Sequence, residues 1–291
     1  MENIIVTSFY KYVNLDNLEA FQKEHLEFCN KFEIKGKVLI GEEGINGSVS
    51  GNKEQIEEYK QKLKSYKQFS DIEFKDTNSN YHPFRKTIVR IRKEIVTSGF
   101  NVDPSKTGYH LSPKELKEMY DNNEDFVIID ARNNYESKIG KFKNAITPDI
   151  EVFRDFKKLV PELKQYKSKK VVLYCTGGIR CEKASALLIK KGFKDVSQID
   201  GGIVNFINQY PGTYFEGRCF TFDARLSIGT GNKEIGICEK CHKPCGEYIN
   251  CAYTKCDKLF ICCNECREEW DNSCSKNCRN SVRIKKLSKN N

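Results

Sequence analysis

The stretch LYCTGGIRCEKASALLIKKGF, Leu173 to Phe193, decides the fold class. With Lys170, Val171 and Val172 before it, the apolar run through Leu173 and Tyr174 has the pattern of a buried strand. From Glu182 to Lys191 the apolar residues recur at helical spacing, with Ala184, Leu187 and Leu188 on the inner face. Cys175 therefore stands on a strand–loop–helix turn, with Thr176, Gly177, Gly178, Ile179 and Arg180 forming the loop. Successive backbone N–H groups in such a turn converge at the positive end of a helix dipole and stabilise an anion. Here the anion is the cysteine's own thiolate, and Arg180 adds a full positive charge. Those conditions lower a thiol pKa and make the sulfur nucleophilic. A cysteine after a strand is most often packing, and a glycine pair is most often a tight turn. The combination Cys-x-x-x-x-Arg with Gly-Gly inside it is what points to chemistry.

Working outward, residues 111–211 alternate strand and helix, which implies a parallel sheet with helices on both faces. FVIIDARNNYE (126–136) ends a buried strand on Asp130 and Arg132. KNAITPDI (143–150) reads as another strand, residues 151–166 as a helix, and DVSQIDGGI (195–203) as the strand after the cysteine helix. Ligands of such sheets bind beyond the carboxyl ends of the strands, so Asp130 and Cys175 are expected to face one pocket. Asp130 and Arg132 are assigned a supporting role, bracing the loop.

Residues 1–95 show a different order. A strand (3–11), an amphipathic helix (15–33), a second strand (37–40), a third into which GEEGINGSVSG (41–51) turns the chain, a helix (53–67) and a strand (71–77) give β-α-β-β-α-β, the ferredoxin-like split pattern. HPFRKTIVRIRKEIVTSGFNVDP (82–104) then carries Arg85, Lys86, Arg90, Arg92 and Lys93 around Ile88, Val89 and Ile91. That alternation predicts a strand with an exposed cationic face, and an ordinary edge strand guarded by charge has the same appearance.

The 291 residues hold three domains: 1–95, 96–220 and 221–291. No apolar run reaches the ~20 residues of a membrane helix, and MENIIVTSFYKYVN lacks the layout of a secretory signal. The expected location is the cytoplasm. The net charge of +9 is spread as +1 over 1–95 and +4 over each remaining segment. An anionic partner and a plain solvated surface explain it equally well. Ten of the 14 cysteines fall between Cys238 and Cys278. Without a secretion signal, such density reads as metal ligands rather than disulfides. Cys238-x2-Cys241, Cys251-x4-Cys256, Cys263-x2-Cys266 and Cys274-x3-Cys278 make two four-thiolate sites suited to Zn²⁺. A cross-braced pairing joins the first pair with the third and the second with the fourth, leaving Cys245 and Cys262 spare and His242 as a substitute ligand. A segment this short with few large apolar side chains needs such a staple. Eight thiolates outweigh two Zn²⁺ by four charges, so the metallated module would be near neutral apart from its basic end, RIKKLSK.

VIIDARNNYESKIGKFKNAI, LYCTGGIRCEKAS and IDGGI together resemble a rhodanese domain, and the six-residue loop from Cys175 to Arg180 is of sulfurtransferase size. GEEGINGSVSG, CTGGIRCEKAS and FEGRCFTFDARL (215–226) in one chain resemble the tRNA uridine hydroxylase family across nearly its whole length. The resemblance implies an acylphosphatase-like first domain, an oxidoreductase that converts the wobble uridine of tRNA to 5-hydroxyuridine with molecular oxygen as co-substrate, and Cys175 as the active cysteine. No organic cofactor is evident. Thiolate addition to uracil C6 would make C5 enolate-like; a persulfide or oxidised sulfur on Cys175, resolved by Cys181, is the rival route. Arg85, Arg90, Arg92 and Lys93 are the expected tRNA contacts. The alternative activity is a sulfurtransferase carrying a persulfide on Cys175. The extra first and last domains favour the RNA enzyme, since a small sulfur acceptor needs neither.

Overall fold

The computed structural model describes residues 3–287, with side chains through Lys285, so the end of the RIKKLSK stretch lies outside the described residues. The first domain runs β1 (Ile4–Tyr12), α1 (Leu18–Lys31), β2 (Lys35–Gly41), β3 (Gly44–Gly51), α2 (Lys53–Lys64), β4 (Phe74–Ser79) and β5 (Thr87–Ile91). The sheet order is β4-β1-β3-β2-β5, the expected ferredoxin-like arrangement with β5 added parallel to β2. Strand alternation sends Phe9, Val38, Ile40, Ile45 and Val49 to one face, where Ile56, Tyr59 and Leu63 of α2 bury them. A capping box starts α2: the Asn52 side chain accepts from the Gln55 N–H and the Gln55 side chain from the Asn52 N–H. The opposite face, with Val6, Ser8, Lys37, Leu39, Asn46 and Ser48, is turned toward the cysteine loop.

The basic segment 82–104 forms a shorter strand than its alternation predicts. Of Arg85, Arg90, Arg92 and Lys93, only Arg90 lies inside β5; Arg85 precedes it, Arg92 and Lys93 follow, and all four are exposed.

The central domain contains β6 (Tyr109–Leu111), α3 (Pro113–Asp121), β7 (Val127–Asp130), α4 (Asn134–Ser137), β8 (Gly140–Phe142), α5 (Phe156–Leu159), β9 (Lys170–Tyr174), α6 (Ile179–Lys190), β10 (Asp195–Ile199) and α7 (Gly202–Gln209). The parallel sheet β6-β10-β9-β7 separates two cores. Val171 and Leu173 of β9 pack with Ala184, Leu187 and Leu188 of α6 on one side. Val172 and Tyr174 pack with Leu116 of α3 and Phe206 of α7 on the other.

Two expected elements are different. KNAITPDI is not a strand: Ile146 makes a single bridge to Ile129, and Pro148 has no N–H to extend a ladder. The helix expected over 151–166 is broken into a 3₁₀ turn (Phe153–Asp155), α5 and a second 3₁₀ stretch (Glu162–Tyr166), with Pro161 at the break.

β11 (Phe215–Phe220) and β12 (Ser227–Gly229) join β8 in a small antiparallel sheet. The hairpin β13 (Tyr248–Asn250) and β14 (Leu259–Ile261) and the helices α8 (Asn264–Glu269) and α9 (Lys276–Leu287) complete the described residues. Cys238, Cys245, Cys251, Cys262 and Cys266 are themselves core residues there, packed with Tyr248, Phe260 and Ile261.

Candidate active site

Cys175 follows the last residue of β9, and α6 begins only four residues later, at Ile179, earlier than periodicity suggests. The turn needs glycine at 178, whose φ of 102° L side chains rarely adopt. Its N–H donates to Cys175 Sγ at 3.2 Å. The loop is held from behind by α7, where the N–H groups of Ile203 and Val204 donate to the carbonyls of Cys175 and Thr176 at 3.0 and 3.1 Å. Gly202, at φ 65°, permits that approach, since a Cβ there would stand 2.5 Å from the Cys175 carbonyl oxygen. This accounts for IDGGI. Burial opposes ionisation of Cys175, but the Cys181 thiol, the Arg180 charge and the N–H groups of Arg180 and Gly178 outweigh it and lower the pKa from 9.0 to about 6. The sulfur is therefore a thiolate at neutral pH. Cys181, buried next to it, has its pKa pushed up by that burial and by the neighbouring sulfur.

Arg180 is not a loose cation over the loop. Its guanidinium is fixed by two bonds to the buried Glu136 carboxylate, at 2.6 and 2.8 Å, with Thr176 Oγ1 at 3.3 Å. Asp130 and Arg132 form a second buried pair, 2.7 Å apart, and Arg132 also donates to the Gly140 carbonyl at 2.6 Å. Asp130 does not share the cysteine's pocket, contrary to its position at a strand's carboxyl end. Its carboxylate turns back on Arg132, which ties β7 to β8.

The sulfur borders a cavity of about 400 Å³ between three parts of the chain. The cysteine loop forms one wall, the open face of the first sheet a second, and Thr221 to Ile228 a third. The first domain is clamped onto the outer side of α6. Tyr10 donates to Glu182 at 2.8 Å, and Lys183 reaches both Glu43 and Glu94 at 2.9 Å. His110 meets the same Glu182 oxygen at 2.9 Å. Burial raises the Tyr10 pKa, as does the Glu182 charge, so its hydroxyl stays protonated. Lys75 also lines the cavity, its ammonium 5.0 Å over the Tyr10 ring, and burial lowers its pKa. The parallel register sets Arg90 beside Leu39, a cavity residue, and so on the cavity side of the sheet.

Three family models match: a UPF0176 acylphosphatase like domain over residues 4–95, a rhodanese-like domain over 112–209 and a rhodanase C-terminal region over 216–279. A Bacillus velezensis protein named tRNA uridine(34) hydroxylase is 44% identical over 287 residues, covering 96% of this chain and 89% of that one. The chain belongs to the tRNA uridine(34) hydroxylase family. A Bacillus licheniformis member is 42% identical over 283 residues, covering 94% of this chain and 88% of its own. The solved rhodanese-like domain of an Anabaena sp. protein is 24% identical with a TM-score of 0.32, covering 37% of this chain and 78% of that one.

In this member of the hydroxylase family, several site residues carry no signal in the loop's own sequence. Glu136 stands in FVIIDARNNYE, where only its place after the strand hints at a role. Tyr10, Lys75 and Phe222 reach the cavity from other domains. The eight paired cysteines form two groups of four, Cys238/Cys241/Cys263/Cys266 and Cys251/Cys256/Cys274/Cys278, each with all sulfurs within 4.8 Å. This is the cross-braced grouping. Separations of 3.7 Å (Cys241–Cys263) and 3.5 Å (Cys256–Cys274) approach the ~3.8 Å edge of a tetrahedron with ~2.3 Å metal–sulfur bonds. The two groups repeat one detail: the Cys263 N–H donates to Cys238 Sγ and the Cys274 N–H to Cys251 Sγ, each at 3.4 Å. The donor set fits a tetrahedral thiophilic ion, and Cys245, Cys262 and His242 lie outside both groups. Among the described residues no helix is long and apolar enough to cross a membrane.

Proposed function

We propose that this chain hydroxylates uridine 34 of tRNA to 5-hydroxyuridine in the cytoplasm, with Cys175 as its nucleophile and molecular oxygen as co-substrate. The observation that carries the assignment of the cysteine is a thiolate with a pKa of about 6 bordering a cavity walled by all three parts of the chain. Addition of that thiolate to C6 of uracil places an electron pair on C5, the carbon to be hydroxylated. Uridine, O₂, two electrons and two protons give 5-hydroxyuridine and water, so an external two-electron reductant completes the stoichiometry. The N–H groups of the loop and Arg180 hold the sulfur ionised, Glu136 holds Arg180, and Asp130 with Arg132 braces the neighbouring strands. Arg85, Arg90, Arg92 and Lys93 supply cationic contacts to phosphates flanking the anticodon.

We divide the chain into an acylphosphatase-like domain (1–95), a rhodanese domain (96–220) and a cysteine-rich module (221–291). Zinc held by the two four-cysteine groups would supply folding energy to that module and take no part in the reaction. The six-residue loop also favours a second reading, sulfur transfer through a Cys175 persulfide. Nucleoside mass spectrometry of tRNA from cells lacking the gene, and regaining it as wild type or Cys175→Ser, tests the assignment. The wild type restores 5-hydroxyuridine and Cys175→Ser does not; restoration by Cys175→Ser refutes the nucleophile. Sulfur transfer from thiosulfate with no change in tRNA establishes the second reading.

A further inference from the structure

Phe222 is 62% exposed, and it is the one exposed large hydrophobic side chain among the described residues that lines the Cys175 cavity. Its exposure is not looseness. Thr221 donates to the Leu226 carbonyl at 3.0 Å and Ala224 to the Pro83 carbonyl at 3.1 Å, so the backbone on both sides is pinned. Asp223 accepts from the Arg225 N–H at 3.0 Å and from its guanidinium at 2.9 and 2.6 Å. Arg225 in turn donates to Thr77 Oγ1 in β4 at 2.9 Å, fixing the segment to the first domain. The ring is oriented as well. Phe220 meets it at 76° with centroids 5.3 Å apart, and the Arg180 guanidinium lies 5.5 Å from its centroid. Arg180 is itself immobilised by Glu136. A fixed aromatic surface is thus held open to the cavity that contains the thiolate.

An apolar ring kept in water by this many polar ties contributes little to the fold, and its chemistry suits a π-faced ligand. RNA-binding proteins capture splayed-out bases by stacking them on such rings. A ring already held in one orientation loses little conformational entropy on binding. The cavity, about 400 Å³, lies at the small end of ligand pockets and suits one nucleoside rather than a stacked run. We propose that Phe222 is the platform on which the uracil of nucleotide 34 stacks when it leaves the anticodon loop. The inference rests on the uridine-34 reading and adds the protein surface that holds the target base beside Cys175. It also gives the FEGRCFTFDARL stretch a role: Asp223 and Arg225 position the segment, and Phe222 touches the substrate.

The test is a thermodynamic cycle on the full-length protein. Equilibrium binding is measured for anticodon stem-loop RNAs with uridine or an abasic site at position 34, at one fixed salt concentration. Against the uridine RNA, Phe222→Ala weakens binding by about 5- to 150-fold, Phe222→Leu stays weak, and Phe222→Trp binds like wild type. Against the abasic RNA, wild type and Phe222→Ala bind alike. Equal losses against both RNAs, or no loss against either, overturn the proposal. Coupling of Phe222 to an abasic site at position 33 or 35, and not 34, overturns it too. Thiolate titration of Cys175 by iodoacetamide, unchanged in Phe222→Ala, excludes collapse of the loop as the cause. A wild-type protein that forms no 5-hydroxyuridine and binds the stem-loop no better than an unrelated hairpin overturns the functional reading itself, before any variant is made.

Discussion

Replacing Glu136 by glutamine leaves the shape of the site nearly unchanged and removes one charge from a buried pair. Glu136 is fully buried and Arg180 is 6% exposed, joined by bonds of 2.6 and 2.8 Å. Unit charges about 4 Å apart at an effective dielectric near 20 attract by about 4 kcal/mol. Breaking a buried pair from one side costs about 3–5 kcal/mol, because the remaining charge stays buried without compensation. A glutamine oxygen still accepts one bond, so the lower end, about 3 kcal/mol, is expected for Glu136→Gln in urea unfolding near neutral pH. Burial alone would raise the Glu136 pKa, but Arg180 outweighs it and the carboxyl titrates below its ordinary 4.5. Its contribution is therefore complete above 4.5 and lost as pH falls through the lowered value, so the difference between wild type and variant shrinks in acid. The sulfur reports the same pair with the opposite sign. In Glu136→Gln the Arg180 charge acts undiluted and the Cys175 pKa falls below about 6, whereas in Arg180→Gln it rises toward 9.0. The pH dependence of iodoacetamide alkylation at Cys175 measures both. Unfolding free energies within about 1 kcal/mol of wild type, or Cys175 shifts of the same sign in the two variants, refute the reasoning.

Metal analysis of the protein purified under reducing conditions is expected to find two zinc ions per chain; none, with disulfides mapped among the eight paired cysteines, refutes the two-site reading. Stripping the metal with a chelator should melt the cysteine-rich module, read as protease cleavage within residues 238–278, because its core is made of the ligands themselves. Arg90→Glu combined with Arg92→Glu is expected to weaken tRNA binding and hydroxylation and flatten the salt dependence, with any thiosulfate sulfurtransfer unchanged. Loss of both activities makes the segment structural, and loss of neither leaves its charges a solvated strand edge.

The parts of this protein written in consecutive residues are legible without a structure. The strand-loop-helix around Cys175 is local, since an apolar run, a glycine pair and a helical repeat each act through near neighbours. The order β-α-β-β-α-β and the four cysteine pairs are local in the same sense. Element ends are less so: prolines 148 and 161 broke a strand and a helix whose apolar pattern was intact. What the chain order hides is contact between distant segments. Glu182 and Lys183 have the appearance of a solvated helix face, yet they are buried because Tyr10, Glu43, Glu94 and His110 arrive from other elements to pair with them. Arg180 is legible as a cation, but its partner Glu136 lies 44 residues away. Asp130 sits at the strand end that sequence assigns to a pocket, and the Arg132 pair turns it away. Sequence alone therefore determined the turn around Cys175 and the spacing of the paired cysteines, which depend on backbone conformation over a few residues. The tertiary structure decided which charges neutralise each other and which ring stands over the cavity, because desolvation and pairing act through space.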